Sequence, residues 1–137
     1  MQAYSFTSAP IAYALINAQK RGVKVRVLVD KDELLNKSRL YLLLKHHIPV
    51  WLDSKVRIAH NKVMIIDRTA VLTGSYNFTN AAEYVNAENS LYLYAPSLAH
   101  LYYINWQSRL AVSQPLNDKN VAAVQAHLQK QTVSPRS

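Results

Sequence analysis

A helix that stops on glycine and passes directly into a β-branched run constrains this chain more than any other feature. Ser8 has the small oxygen-bearing side chain of an N-cap and Pro10 suits a first helical turn, so a helix is expected over residues 10–21. Ile11, Leu15 and Ile16 lie near one face, Ala12, Ala14 and Ala18 fill in beside them, and Gly22 ends the helix. The following run, Val23-Lys24-Val25-Arg26-Val27-Leu28-Val29, alternates at first and then turns continuously apolar up to Asp30, which is the pattern of a strand entering a sheet. A second helical stretch is expected over 34–47, capped at Ser38, with Leu40, Leu43 and Leu44 as its buried stripe. Short extended pieces are expected at 49–52 and 56–58. A strand at 62–66, a turn at Asp67-Arg68-Thr69 and a partner strand at 70–73 make a hairpin. Residues 90–94 alternate again, and Pro96 opens a helix to about Val112 with Leu98, Leu101, Tyr102, Trp106 and Leu110 on its apolar side. This order gives an α/β fold, a mixed β-sheet flanked by α-helices.

The organisation is that of one domain over 1–112, followed by a polar, Gln-rich extension over 113–137 that is partly helical or disordered. Within the extension, Val121, Val124 and Leu128 have the spacing of a short amphipathic helix. The absence of cysteine excludes disulfides and thiolate metal sites. No apolar run approaches the roughly 20 residues of a membrane span, and the amino terminus as written lacks the basic start and apolar stretch of a signal peptide. Sixteen Lys and Arg against eight Asp and Glu give a formal charge of +8, which favours a polyanionic partner through long-range attraction and counterion release.

The chemistry concentrates in Ala59-His60-Asn61-Lys62-Val63-Met64-Ile65-Ile66-Asp67. With a side-chain period of two, His60 and Lys62 point to the same side of a strand. An ammonium there neutralises phosphate oxygens while the imidazole attacks or moves a proton. After the hairpin, Gly74-Ser75-Tyr76-Asn77 offers small polar side chains at Ser75 and Asn77 as neutral donors to the same oxyanion. Glu88, at the start of the next strand, is placed to accept a hydrogen bond from the His60 ring and fix its tautomer. Taken singly, each of these is commonplace: a surface His, a turn signal, a strand-end charge. Their order within 29 residues on consecutive strands of a basic chain is not.

His60-x-Lys62-x-x-x-x-Asp67 followed by Gly74-Ser75-x-Asn77 resembles the signature of the phospholipase D superfamily, and most of all its small bacterial endonucleases with one motif per chain. Further segments are similar: Tyr4-Ser5-Phe6-Thr7-Ser8, Lys20-Arg21-Gly22-Val23, Asn77-Phe78-Thr79, Ala81-Ala82-Glu83, Glu88-Asn89 and Trp106-Gln107. The resemblance implies a phospholipase D-like sandwich in which His60 is the nucleophile of a phosphohistidine intermediate. It implies that Lys62 and Asn77 bind the phosphate, with Ser75 beside them, and that Glu88 orients His60. Asp67 belongs to the signature but has the opposite strand parity to His60, so a structural or electrostatic role is expected for it rather than contact with substrate. No cofactor and no metal are implied.

Two-step displacement at phosphorus needs one imidazole to attack and another to protonate the leaving oxygen. His46, His47, His100 and His127 have no Lys two residues on, so the second motif is expected from a homodimer. The expected partners are therefore nucleic acid, with DNA first and RNA left open beside it, and a second copy of the chain, with no stable membrane association. The expected activity is metal-independent, nonspecific cleavage of DNA. The alternatives are a phospholipase D or cardiolipin hydrolase using the same chemistry, and a truncated, non-catalytic nucleic-acid-binding relic. The family's fold begins with a further strand and helix, so Met1 is expected inside a central strand, with this polypeptide less stable than a longer relative. An upstream signal peptide would make the protein periplasmic or secreted; otherwise it would be cytoplasmic.

Overall fold

The computed structural model describes residues 1–35 and 39–133, so the expected Ser38 cap lies outside the described residues. Among them the chain runs β1 (Gln2–Ala3), α1 (Ala9–Lys20), β2 (Val27–Asp30), a 3-10 turn (Lys31–Leu35), α2 (Leu40–Lys45), β3 (Val50–Asp53), β4 (Lys62–Ile66) and β5 (Ala70–Gly74). It continues through α3 (Asn80–Tyr84), β6 (Ser90–Tyr94), α4 (Pro96–Ala111), β7 (Gln114–Leu116) and α5 (Val121–Val133). The strands form one sheet in the order β6-β5-β4-β1-β2-β3-β7. β1, β2 and β3 are parallel, and β4, β5, β6 and β7 join antiparallel, so the sheet is mixed.

Sheet periodicity sorts the apolar residues onto two faces. Val27 and Val29 of β2, with Val50 and Leu52 of β3, pack in the larger core beside Ala12 and Ile16 of α1, Leu40, Leu43 and Leu44 of α2, and Leu128 of α5. Val63 of β4 and Val71 of β5 instead face Ala99 of α4, with Ile65 and Tyr102 around them. α4 is pinned at its far end by Arg109, which meets the fully buried Asp53 through two hydrogen bonds of 2.8 Å. Leu40, Leu43 and Leu44 are buried, as their spacing implies.

Several boundaries differ from the sequence reading. Strand β2 begins at Val27 rather than Val23, because β3 starts at Val50 directly opposite Val27 and the residues before it have no ladder partner. Helix α2 covers only Leu40–Lys45 and ends where His47 takes a φ of 61°. Residues 56–58 pair with no strand, and the chain bends over 55–57. α3 was not anticipated, although Thr79 caps it by accepting from the Ala82 amide. In the polar stretch the helix expected around Val121, Val124 and Leu128 is present, and β7 in addition adds to the sheet edge beside β3.

Candidate active site

The register of the central strands decides where the site forms. Ala3 of β1 faces Lys62 of β4, so the residues just beyond, Tyr4 on one chain segment and Asn61 and His60 on the other, meet at the sheet's end. Gln2 and Tyr4 both hold the loop. Gln2 is buried and donates from Nε2 to Asn61 Oδ1 at 3.1 Å. The Tyr4 ring meets the His60 imidazole edge-on, with centroids 4.6 Å apart and planes at 64°.

Lys62 Nζ lies 3.3 Å from His60 Nε2, donates to the His60 carbonyl at 2.8 Å, and sits 5.6 Å from the centre of the Tyr4 ring. An ammonium has donors only, so its approach to Nε2 matches an imidazole whose lone pair sits on that nitrogen. Partial burial lowers the Lys62 ammonium from its ordinary range, and the charge of Glu88 opposes the shift. His60 itself is exposed and open to a substrate.

A second arm comes from the end of β5. Gly74 passes so close to the backbone of Asn89 and Ser90 that a side-chain Cβ would overlap the Asn89 carbonyl. That close approach lets the Ser75 amide donate to Asn89 O at 2.9 Å and the Asn89 amide donate to Ser75 Oγ at 3.1 Å. Ser75 Oγ in turn donates to Glu88 Oε2, and Asn86 Nδ2 donates to Glu88 Oε1 at 3.2 Å. Among the described residues no hydrogen bond joins Glu88 to the His60 ring, where the sequence suggested one; Glu88 accepts from Ser75 and Asn86 instead. It sits in the loop before β6, and the pairing of Gly74 with Ser90 carries it alongside Ser75. Its link to the His60 pair runs through the charge of Lys62.

The structure brings His60, Lys62, Ser75 and Glu88 to one end of the sheet. Asn77 lies two residues beyond Ser75, with Oδ1 buried and without a hydrogen-bond partner among the described residues. Asp67 is not part of this group. It occupies the β4–β5 turn at the opposite end of β4, with Asp67 and Arg68 at φ 53° and 55° and the turn closed by the Thr69 amide donating to Ile66 O at 3.0 Å. Beside that turn is a cleft of about 780 Å³ lined by Lys24, Arg26, Arg68, Tyr103 and Trp106. It contains none of the His60 group.

Sequence reasoning missed Asp30, which it treated only as the end of a strand. Its side chain is fully buried and accepts from the amide of Ala59, the residue before His60, at 2.6 Å. Burial pushes the Asp30 carboxyl up, while the Ala59 and Asp32 amides pull it back. An aspartate closing a continuously apolar run was the available signal, since such a carboxylate needs buried donors.

A mixed sheet that gathers a His-x-Lys pair and a Gly-Ser-x-Asn arm with a carboxylate at one end defines the phospholipase D class of folds. Residues 1–109 match the family described as cardiolipin synthase, PLD-like domain, and the chain belongs to the phospholipase D superfamily. It is 52% identical over 112 residues to a phospholipase D of Rickettsia felis, covering 81% of this chain and 56% of that relative. It is 38% identical over 89 residues to the mitochondrial cardiolipin hydrolase of Mus musculus, covering 64% of this chain and 40% of that one. The crystal structure of the phospholipase D family member Nuc from Salmonella typhimurium superposes with a TM-score of 0.82 at 37% identity, covering 86% of this chain and 80% of Nuc.

Proposed function

We propose that this chain is a phosphodiesterase that cleaves DNA, and RNA as well, without a metal, through a phosphohistidine formed at His60 in a site shared by two copies. The observation that carries the reading is the approach of Lys62 Nζ to His60 Nε2 at 3.3 Å on an exposed sheet end. In the first step the Nε2 lone pair attacks phosphorus and the bond to the leaving oxygen breaks. The matching histidine of the second copy gives that oxygen its proton. In the second step water attacks phosphorus, gives a proton to that histidine, and the phosphorus–nitrogen bond breaks to release the phosphomonoester and free His60. Lys62 and the Asn77 amide nitrogen neutralise and hold the equatorial oxygens.

Two features support a second copy and a polyanionic substrate. β6 is an edge strand beside Glu88 that exposes Leu91, Tyr92 and Tyr94, an unpaired ladder with apolar side chains suited to a two-fold contact. The formal charge of +8 suits a phosphate backbone, and a site built on phosphate contacts gives little sequence preference.

A phospholipid reading of the same chemistry is favoured by the relatives named phospholipase D and mitochondrial cardiolipin hydrolase. Incubation with supercoiled plasmid in EDTA, and in parallel with cardiolipin vesicles, separates the two. Nicking that vanishes in His60→Ala supports the nuclease. Formation of phosphatidic acid and phosphatidylglycerol without nicking supports the lipid hydrolase, and plasmid binding with neither supports a non-catalytic binder.

A further inference from the structure

The loop that delivers His60 is gripped from below by the end of a neighbouring strand, at residues that touch neither the imidazole nor the Lys62 ammonium. Asp30, the last residue of β2, uses one carboxylate oxygen to accept from the Ala59 amide at 2.6 Å. Its other oxygen accepts from the Asp32 amide at 2.9 Å, capping the 3-10 turn that follows. Lys31 completes the grip, donating from Nζ to the carbonyls of Val56 at 3.0 Å and Arg57 at 2.9 Å. Three of these four hydrogen bonds therefore cross from residues 30–31 to residues 56–59, and the next residue is His60.

This segment has no ladder of its own. Between Asp53 at the end of β3 and Lys62 at the start of β4 the chain pairs with no strand. Three of its backbone groups, the Ala59 amide and the Val56 and Arg57 carbonyls, find partners in Asp30 and Lys31. Asp30 is fully buried, so no water replaces its oxygens if the loop shifts. The loop can move only by breaking the buried Asp30–Ala59 hydrogen bond as well as the two more exposed bonds from Lys31, which holds Ala59, and with it the His60 backbone, beside Tyr4 and Gln2.

We propose that Asp30 and Lys31 are positioning residues that hold the 56–59 loop so that His60 Nε2 stands in line with the scissile phosphorus. The proposal rests on His60 acting as the nucleophile. Lys31 spends its charge on two backbone carbonyls and is not a substrate contact. Its removal is therefore felt in turnover and not in substrate affinity, since a displacement of about 1 Å at a reacting atom costs on the order of a hundredfold in rate.

The test measures kcat and KM on bis(p-nitrophenyl) phosphate for the wild type, His60→Ala, Lys31→Met, Lys31→Arg, Asp30→Asn and, as a control on an exposed neighbour, Lys55→Met. Turnover is scored as the part lost in His60→Ala. Lys31→Met keeps the aliphatic stem and is expected to lower kcat about tenfold or more with KM within about twofold. Lys31→Arg, which keeps the positive charge and several N–H donors on a side chain of similar length, is expected to recover most of that loss. Asp30→Asn keeps one acceptor oxygen and is expected to fall between wild type and Lys31→Met, while Lys55→Met stays at wild-type turnover. A kcat within about twofold of wild type in both Lys31→Met and Asp30→Asn overturns the proposal. So does a rise in KM at constant kcat in Lys31→Met, which makes Lys31 a substrate contact. Should Asp30→Asn fail to fold, the Lys31 pair decides alone. Full activity in His60→Ala is read separately, because it removes the nucleophile itself.

Discussion

Gly74 and Asn89 stand back to back: the absence of a side chain at Gly74 is what allows the Asn89 carbonyl to reach the Ser75 amide. The contact joins the end of β5 to the loop that carries Glu88, so a steric fact about one glycine becomes a fact about the site. Gly74→Ala forces the backbone of residues 89 and 90 outward. A stability loss of about 2 kcal/mol is expected from overpacking against rigid backbone, with loss of the Ser75–Glu88 contact and of activity. A urea midpoint matching wild type would count against this account.

Arg109 is the main partner of a carboxylate with no access to water. Two hydrogen bonds of 2.8 Å reach Asp53, whose Oδ1 also accepts from the Lys55 amide at 3.1 Å. Arg109→Ala leaves that charge buried without its counterion, and a loss of about 3 kcal/mol is expected. Because the ion pair anchors α4 to β3, the change is expected in thermal unfolding with KM for a small phosphodiester unaffected. A shift of Tm below about 2 °C would refute it.

Lys62 gives a pH signature with a definite sign. Its folded pKa lies below the ordinary 10.5, so between the two values the unfolded chain binds more protons and stability rises with pH. Activity is expected to move the other way across the same window, because the proposed mechanism uses the Lys62 ammonium to neutralise phosphate and that charge is being lost. Glu88 opposes the lowering, so Glu88→Gln is expected to move the alkaline limb of the kcat/KM profile toward lower pH. A limb that stays in place, or moves up, removes Glu88 from the electrostatics of Lys62.

Leu128 tests the part of the chain read as a polar extension. It is buried in the larger core, in the same cluster as Leu40 and Leu43 of α2. Leu128→Ala is expected to cost about 2 kcal/mol through lost transfer energy and a residual cavity. Unchanged denaturant unfolding would show that α5 is not an integral layer of the fold.

The residues of the site were legible before the structure because their signal is local. His60 and Lys62 share strand parity, and Gly74, Ser75 and Asn77 follow a hairpin whose two apolar strands flank the Asp67-Arg68-Thr69 turn. Helix α1 was legible for the same reason, with Ser8, Pro10 and Gly22 marking its ends, and Ser8 does accept from the Ile11 amide. The partner of Glu88 was not legible, since whether a loop carboxylate meets His60 or Ser75 depends on the register of β5 with β6. β7 escaped notice because Gln114, Pro115 and Leu116 lack strand composition and pair only because β3 offers a free edge.

The sequence by itself therefore determined the α/β order and the residue types able to work at phosphorus, since both are written in periodicity and spacing along the chain. Only the tertiary structure decided that β1 lies between β2 and β4, and that Asp30 and Lys31 reach the loop before His60. Those relations join residues far apart in the chain. They are fixed by which strands hydrogen-bond and which charges are buried, and no local pattern encodes either.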